Sequence, residues 1–261
     1  MAFDSSALLA WYEQTKRPLP WRATRDPYAL LVSEVMLQQT QAQRVVPYYE
    51  AFVARFPDPH ALARATPGEV LNAWSGLGYN RRALALQAAA RIVAERGWPE
   101  DLTELPGVGP YTAAAVGSFA WDRQEPAIDT NVRRVIERFD GTARQPKALA
   151  ARVRALLPHA RAATFNQAMM ELGATICRPR APRCDECPIR PGCAGGPVTR
   201  GRRRGAERFE DTDRYHRGRV VAALVAGEPP PDVPERVLAG LERDGLIARA
   251  ADGAARLPGA A

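Results

Sequence analysis

The stretch LPGVGPYTAAAVGSFA, residues 105–120, places two glycines around one apolar residue, between two segments of helical character. Gly107 and Gly109 allow a tight turn and let another backbone approach closely. The amides at the start of the second segment then point outward, where a phosphate can bind. The stretch predicts a helix-hairpin-helix turn, although an ordinary corner between two helices is the alternative at this stage.

The rest of the chain is predicted to be helical as well. Asp26 and Pro27 provide a cap and a first-turn proline for the helix that carries Glu34, and Thr66 with Glu69 forms a capping box. We find no convincing long strand in the first 195 residues, so the class is mostly α. Further helices are predicted at 7–15, 81–96, 111–121, 130–139, 146–157 and 164–176.

Composition changes at residues 194–212, where glycine, proline and arginine dominate, as in a linker. Beyond it, RVVAALVAG (219–227) and PERVLAGLERDG (234–245) are predicted helices. Asp252-Gly253 between two short segments is a hairpin signal. Two helices and a hairpin indicate a small winged-helix-like module, which could either bind DNA or serve only as a scaffold.

The net charge of +7 and the pI of about 9.6 fit a polyanionic partner without proving one. Lys16 and Lys147 are the only lysines, so chemistry that needs a lysine amine has two candidates. No apolar run is long enough to span a bilayer, and the N-terminus lacks the basic start and apolar core of a signal peptide. We therefore expect a cytoplasmic protein that has no membrane partner.

All four cysteines lie in CRPRAPRCDECPIRPGC, with the spacing C-x6-C-x2-C-x5-C. Four thiolates within such a short loop can converge on one metal centre, which could be an iron–sulfur cluster or structural zinc. Zinc more often uses two CxxC knuckles, and disulfides are disfavoured in a chain without an export signal. The candidate ligands are Cys177, Cys184, Cys187 and Cys193.

Two acidic residues stand out. Glu34 lies in a run of apolar side chains, where a carboxyl group is costly unless it has a partner or keeps its proton, although a solvated helix face is the simpler interpretation. Asp129 follows Tyr111 by eighteen residues, in AIDTNVRRV. It can cap the helix that begins at Thr130, and this role does not prevent it from also serving chemistry.

The hairpin, the trailing aspartate and the cysteine loop together resemble the endonuclease III superfamily of DNA glycosylases, and within it the adenine DNA glycosylases of the MutY type. The resemblance covers roughly residues 7–195, in the order of the family. The segments that carry it are LPWR (19–22), DPYALLVSEVMLQQTQ (26–41), GLGY (76–79), LPGVGPYTA (105–113), DTNVRRV (129–135), FNQAMMELGATIC (165–177) and the cysteine loop.

This resemblance implies a helix-hairpin-helix DNA glycosylase fold with a [4Fe–4S] cluster on the four cysteines. The implied domains are a six-helix barrel domain at 22–128, an iron–sulfur cluster domain from 1–21 and 129–195, a linker at 196–212, and the winged-helix-like module at 213–261. The implied partner is double-stranded DNA that contains a mismatch or an oxidised guanine, bound by a monomer. The implied location is the bacterial cytoplasm, at the nucleoid.

The resemblance also implies a chemistry. Glu34 would be the general acid that protonates an extruded adenine, and its apolar neighbours should keep it protonated near neutral pH. Asp129 would stabilise the cationic sugar. Bifunctional relatives carry lysine where this chain has Tyr111, so the enzyme should be a monofunctional glycosylase that leaves an abasic site. Tyr111 is expected to bond to Glu34 or to the sugar.

The remaining roles concern DNA. Gln38 and Thr40 should lie near the base left behind, and Gln39 and Tyr79 should fill the disrupted stack. Gly107 and Gly109 should face the DNA backbone. The residues expected to line the adenine pocket or to support Asp129 are Trp21, Arg22, Gln167 and Asn131.

The chain departs from the family at two points. Asn80, Arg81 and Arg82 follow GLGY where the family commonly has a second tyrosine, and we expect this to alter phosphate contacts. The last fifty residues do not resemble the Nudix-like domain that helps many relatives to recognise 8-oxoguanine, which leaves the preference for 8-oxoguanine over guanine open. Three other hypotheses remain: a thymine or other mismatch glycosylase, a catalytically silent lesion-binding protein, and a winged-helix regulator with a metal sensor.

Overall fold

The structure is a computed structural model that describes residues 2–196, 208–250 and 253–259. It is mostly α, as predicted. The only strands in this part of the chain are β1 (Ala248–Arg249) and β2 (Ala255–Arg256), an antiparallel pair. The helices are α1 (Ser5–Thr15), α2 (Pro27–Leu37), α3 (Ala42–Arg55), α4 (Pro59–Arg64), α5 (Pro67–Trp74), α6 (Arg81–Arg96), α7 (Pro110–Trp121), α8 (Thr130–Asp140), α9 (Pro146–Arg154), α10 (Ala162–Thr175), α11 (Asp213–Val225) and α12 (Glu235–Arg243).

The capping signals of the sequence are confirmed. Both carboxylate oxygens of Asp26 accept backbone amides in the first turn of α2. Thr66 and Glu69 form the predicted capping box of α5. Such caps satisfy amides that have no partner within the helix, and each contributes about 1 kcal/mol.

Two helices were not predicted, and the predicted C-terminal end of α9 was three residues too late. The sequence signal for α3 is weakened by Pro47, which lies inside the helix and lacks a hydrogen-bond donor. The short helix α4 was also missed. Helix α9 ends at Arg154 rather than at 157, since Pro158 disfavours helical backbone at the residue before it.

The chain divides into two compact units, Met1–Leu31 with Gly109–Arg202 and Val32–Val108 with Arg203–Ala261. The domain boundaries expected from the sequence fall elsewhere, at 21 and 128, and they stay a prediction. In the first unit α10 packs against α1, α7 and α8. Its core includes Leu8, Phe165 and Met169, all fully buried. Burying each such side chain contributes roughly 1.5–3 kcal/mol.

In the second unit α6 packs against α4 and α5, and α11 packs against α5 and α12. The rings of Phe52 and Trp74 meet edge to face, with centroids 5.8 Å apart. The predicted pair of helices and the hairpin are present as α11, α12, β1 and β2. Gly253 adopts the left-handed conformation that a hairpin turn needs, while Asp252 lies outside the described residues. None of the described helices is long and apolar enough to cross a membrane.

Candidate active site

Asp129 is the residue immediately before α8, and its carboxylate is held by three donors. Oδ1 accepts the backbone amides of Asn131 and Val132 at 2.8 and 2.7 Å, and Oδ2 accepts the Asn131 side-chain amide at 2.6 Å. Burial raises the pKa of Asp129, although these hydrogen bonds and the charge of Arg134 oppose the rise. The same contacts fix the direction of the carboxylate.

A further set of contacts orients Asn131. Arg134 donates to the Asn131 side-chain oxygen at 2.7 Å and to the Gly173 carbonyl at 2.6 Å. A Cβ at Gly173 would lie only 2.5 Å from the Cβ of Asn131, so α10 can approach the start of α8 only because position 173 is glycine. Asn131 was expected to support Asp129, and its side chain is bonded to it. Nothing in the sequence marked Gly173 as a positioning residue.

Asn166 fixes the chain that leads to Asp129. Its side chain is fully buried, donates to the Ser118 hydroxyl and to the Glu125 carbonyl at 2.8 Å each, and accepts the Ala127 amide at 3.1 Å. These bonds join α7, α10 and the segment before α8. Asn166 lies in FNQAMMELGATIC, but nothing in the sequence marked it as a positioning residue.

Tyr111 lies in the first turn of α7, directly after the glycine turn. It is half-buried beside a small apolar cluster that contains Leu30 and Phe119, and its hydroxyl is 4.0 Å from the sulfur of Met170. Leu30, Phe119 and Met170 all belong to the first unit. The expected bond from Tyr111 to Glu34 or to a sugar stays a prediction.

Two of the residues expected to line an adenine pocket lie on α10 or contact it, Gln167 and Arg22. Gln167 accepts the Tyr12 hydroxyl at 2.7 Å, and burial raises the pKa of Tyr12 to about 12. Trp21 is buried in a short 3-10 turn, Pro20–Arg22. Arg22 forms an ion pair with Glu171 at 2.6 Å, so its charge is already compensated within the protein.

Glu171 has a second partner, Arg17, whose Nε and Nη2 donate to its two carboxylate oxygens at 2.7 Å each. Burial alone would raise the pKa of Glu171, but the hydrogen bonds and charges of Arg17 and Arg22 outweigh burial and hold the pKa below its usual range. This bidentate pair ties the segment before the Pro20–Arg22 turn to α10. The sequence did not single out either Arg17 or Glu171.

Glu34 lies on α2 and its side chain is buried, with the residue only 4% exposed. The solvated helix face considered for Glu34 is therefore wrong. The end of α2 is held by Arg82, whose Nη1 donates to the carbonyls of Val35, Met36 and Gln38 at 2.7, 3.2 and 2.5 Å. A cation at a helix C-terminus satisfies carbonyls that have no partner in the helix.

Arg82 also donates to the Gly78 carbonyl at 3.0 Å, and its guanidinium lies 5.2 Å from the ring centroid of Tyr79. Burial lowers the pKa of Arg82 to about 10. The expected effect of Asn80, Arg81 and Arg82 on phosphate contacts stays a prediction. The Arg82 guanidinium is engaged with backbone carbonyls and joins the end of α2 to the GLGY turn.

Backbone conformation marks the other expected DNA contacts. Gln39 and Tyr79 have positive φ, at 61° and 50°, which is uncommon for residues with side chains and holds both in sharp turns. Gln38 and Thr40 flank Gln39, and the Thr40 hydroxyl is 3.4 Å from the Gln38 carbonyl. Gly107 has φ of 77°, whereas Gly109 has an extended backbone and a Cβ there would meet nothing within 4 Å.

The four cysteines are all free and half-buried, and Cys177, Cys187 and Cys193 pack against the core of the first unit. Arg138 lies 3.2 Å from the Cys177 sulfur. Burial raises the pKa of Cys177 and of Cys187. No three His, Cys, Asp or Glu side chains within the described ranges converge closely enough to hold a single metal ion. The donor set itself, four thiols in one loop with three of them against the core, suits a thiolate-bound cluster.

A helical fold with a glycine turn, an aspartate at the N-cap of a later helix and a cysteine loop defines the class of helix-hairpin-helix DNA-repair proteins. Residues 32–159 match the family model described as HhH-GPD superfamily base excision DNA repair protein. The adenine DNA glycosylase of Mycobacterium tuberculosis is 43% identical, over 97% of this chain and 92% of that protein. The human adenine DNA glycosylase is 42% identical, over 74% of this chain and 39% of that protein. The chain belongs to the HhH-GPD superfamily.

Solved structures agree on the fold. A thermostable thymine-DNA glycosylase superposes with a TM-score of 0.67 at 31% identity, over 73% of this chain and 93% of that one. An endonuclease III in covalent complex with DNA superposes with a TM-score of 0.64 at 22% identity, over 74% of this chain and 93% of that one.

Proposed function

We propose that this protein is a monofunctional DNA N-glycosylase of base excision repair that removes adenine mispaired with 8-oxoguanine or guanine. Relatives with the name adenine DNA glycosylase, similar over nearly the whole chain, support the substrate class. The observation that carries the chemistry is the geometry of Asp129 at the start of α8. Three hydrogen bonds to its carboxylate fix the direction of that group.

The reaction begins with an adenine flipped out of the duplex, since its glycosidic bond cannot be reached within the stack. Glu34 gives its proton to the adenine ring at N7. The bond between C1′ and N9 then breaks, and its electron pair leaves with the base, so that adenine departs as a neutral molecule. The sugar becomes an oxocarbenium ion, whose positive charge the Asp129 carboxylate stabilises.

Water adds to C1′ of this cation, and the proton it loses passes to Asp129. The products are free adenine and an abasic site in an unbroken strand. Asn131 keeps Asp129 in the direction that the cation requires, and Arg134 and Gly173 keep Asn131 in place. Gln38 and Thr40 contact the base left behind, while Gln39 and Tyr79 fill the gap in the stack. Trp21, Arg22 and Gln167 line the pocket for the extruded adenine.

Strand cleavage by a glycosylase of this class needs an amine that attacks C1′ and forms a Schiff base. The hairpin residue is Tyr111, and the two lysines, Lys16 and Lys147, lie elsewhere in the sequence. The product should therefore be an intact abasic strand until alkali is added. Tyr111→Lys is expected to add some strand cleavage, and an unchanged product pattern in that variant would count against the position assigned to Tyr111.

We also assign a [4Fe–4S] cluster to Cys177, Cys184, Cys187 and Cys193. When bound, the cluster would hold the basic loop in one conformation through its bonds to the four thiolates, and it would not be a reacting group. The anaerobically purified protein should contain about four irons per chain. Stoichiometric zinc with no iron would reject this assignment.

The assigned partner is duplex DNA, bound by a monomer at the nucleoid of a bacterial cytoplasm.

The experiment that tests the function is single-turnover base release from duplexes that carry A opposite 8-oxoguanine, G or C, with T opposite G as a fourth substrate. The similarity to a thymine-DNA glycosylase makes removal of T opposite G the second candidate function. Release of T with A spared would reject the first candidate. Tight binding without release of any base would instead indicate a silent lesion-binding protein.

Glu34→Gln provides the mechanistic control, because it keeps the side-chain shape and removes the proton. This variant should bind the duplex as the wild-type protein does and release no adenine. Normal turnover would show that the general acid is another residue.

A further inference from the structure

A cavity with a volume of about 880 Å³ lies wholly within the second unit. One side consists of the turn after α2 and the GLGY turn with the start of α6, and the other side consists of residues 209–222 with two side chains of the C-terminal helix-and-hairpin region. We call this cavity the α11 groove. The C-terminal module therefore shares a surface with Gln39, Thr40 and Tyr79, residues to which we assigned contacts with the DNA stack.

The charge of the α11 groove is one-sided. Six arginines line it and no aspartate or glutamate does so among the described residues; they are Arg44, Arg81, Arg82, Arg214, Arg217 and Arg219. Arg217 forms an ion pair with Asp244, and Arg82 is bonded to carbonyls. Arg214 and Arg219 have no carboxylate within ion-pair distance in the part of the chain that the structure describes. Such a surface favours a polyanion.

Aromatic rings stand beside these charges. The Arg214 guanidinium lies 3.9 Å from the ring centroid of Tyr79 and 5.2 Å from that of Phe209. Tyr79 is 38% exposed and Phe209 is 50% exposed, so both rings remain accessible. Arginines interleaved with accessible aromatic faces are the combination that binds a nucleic-acid strand, since the cations neutralise phosphates and the rings contact bases or sugars.

We propose that the α11 groove binds the DNA backbone next to Tyr79, with Arg214 and Arg219 as phosphate contacts and Phe209 against the adjoining sugar or base. This inference rests on the proposed function only in taking duplex DNA as the partner. It gives the C-terminal module a direct part in DNA binding. A module that served only as a scaffold would not need two arginines without acidic partners in a groove beside Tyr79.

The test measures the Kd of the full-length protein for an undamaged fluorescent duplex, by anisotropy, between about 50 and 200 mM salt. The variants are Arg214→Ala, Arg219→Ala and Arg214→Lys. Arg243→Ala is the matched control, because it removes one exposed arginine from the same module outside the groove. Circular dichroism and the thermal midpoint establish that each variant is folded.

We expect Arg214→Ala and Arg219→Ala each to weaken binding about tenfold at low salt and to reduce the slope of log K against log salt by about 0.9, the value for one lost phosphate contact. Arg214→Lys should restore most of the slope, and Arg243→Ala should match the wild-type protein. A folded Arg214→Ala variant that binds like Arg243→Ala would overturn the inference.

Base release by the wild-type preparation, measured on the A opposite 8-oxoguanine duplex, reports separately on the proposed function. Normal release together with unaffected binding by the groove variants would reject the groove alone. Absent release together with weakened binding by the groove variants would reject the reaction and leave the groove standing.

Discussion

Gly173 lies against Asn131 with no room for a side chain: an added Cβ would come within 2.5 Å of the Asn131 Cβ and 3.0 Å of its Cα. Asn131 in turn bonds to the carboxylate of Asp129 at 2.6 Å. Because Gly173 has no side chain, α10 can contact α8 at Asn131. The direction of the Asp129 carboxylate, the proposed cation-stabilising group, depends on this contact.

Gly173→Ala should therefore impair both stability and chemistry. Alanine inside a helix ordinarily stabilises by roughly 0.5–1 kcal/mol relative to glycine, but here the overlap with backbone atoms should cost about 1–3 kcal/mol. We expect adenine release to slow at least about tenfold, since a small misplacement of a reacting group is costly. Thermal unfolding and single-turnover release measure the two effects.

Gly218→Ala is the control for stability, because a Cβ at this helical position would meet nothing within 4 Å. That variant should be as stable as the wild-type protein or slightly more so. A Gly173→Ala protein that gains stability in the same way and keeps its full rate would refute the role given to this contact.

The second prediction concerns pH. Asp129 must be ionised to stabilise a cation, so the rate should rise as pH increases through its pKa, and burial sets that pKa above the usual value. The Asn131 hydrogen bond stabilises the charged form and lowers the pKa. Asn131→Ala should therefore move the acid limb of the pH–rate profile to still higher pH and reduce the rate.

Thr130→Ala is the matched substitution, since Thr130 is the exposed neighbour on the same first turn. Its profile should coincide with that of the wild-type protein. If Asn131→Ala lowers the rate by the same factor at every pH, the hydrogen bond does not act on the ionisation of Asp129.

The third prediction concerns the buried acid Glu171. Its side chain is 1% exposed and its two partners are Arg17 and Arg22. Glu171→Gln should destabilise the fold by about 3 kcal/mol at neutral pH, because it leaves two partly buried cations without their carboxylate. Denaturant unfolding at a series of pH values measures this loss.

The sign of the pH dependence follows from the lowered pKa of Glu171. The contribution of the carboxylate to stability is fully present above its unfolded value near 4.5 and is lost as pH falls through the lower folded pKa. The difference between the wild-type protein and Glu171→Gln should shrink in that acidic range. Glu13→Gln, which breaks an exposed pair with Lys16, should cost less than about 1 kcal/mol at any pH.

The fourth prediction separates the two glycines of the turn. Gly107→Ala forces a side chain into left-handed backbone and to 2.8 Å from the Ala85 Cβ, so it should destabilise the fold by about 2 kcal/mol. Gly109→Ala meets no protein atom within 4 Å and should cost less than about 1 kcal/mol. If DNA approaches the turn closely, Gly109→Ala should nevertheless weaken duplex binding about tenfold.

Unfolding experiments and anisotropy with the same duplex measure both quantities. Equal effects of the two substitutions on stability would contradict the difference in their protein contacts. Unchanged DNA affinity of Gly109→Ala would show that no DNA backbone comes near position 109.

The sequence by itself determined the class, most helices and the candidate acids. Caps such as Thr66 with Glu69 act within one turn, so they can be recognised in the sequence. The spacing of the cysteines is a local pattern as well. The sequence also determined the family, because the motifs keep their order along the chain. Where a local signal was broken, as by Pro47 in α3, the prediction failed, since burial of Val45, Tyr49 and Phe52 outweighs one lost hydrogen bond.

Only the tertiary structure decided how the candidate residues are held. Asn166, Gly173 and Glu171 act through contacts with residues 39 or more positions away, and nothing in their local sequence distinguishes them. Arg82 satisfies carbonyls at the end of α2, a role that no local sequence pattern indicates. The physical reason is the same in each case: hydrogen bonding and close packing depend on which distant segments meet, and that is settled by folding the whole chain.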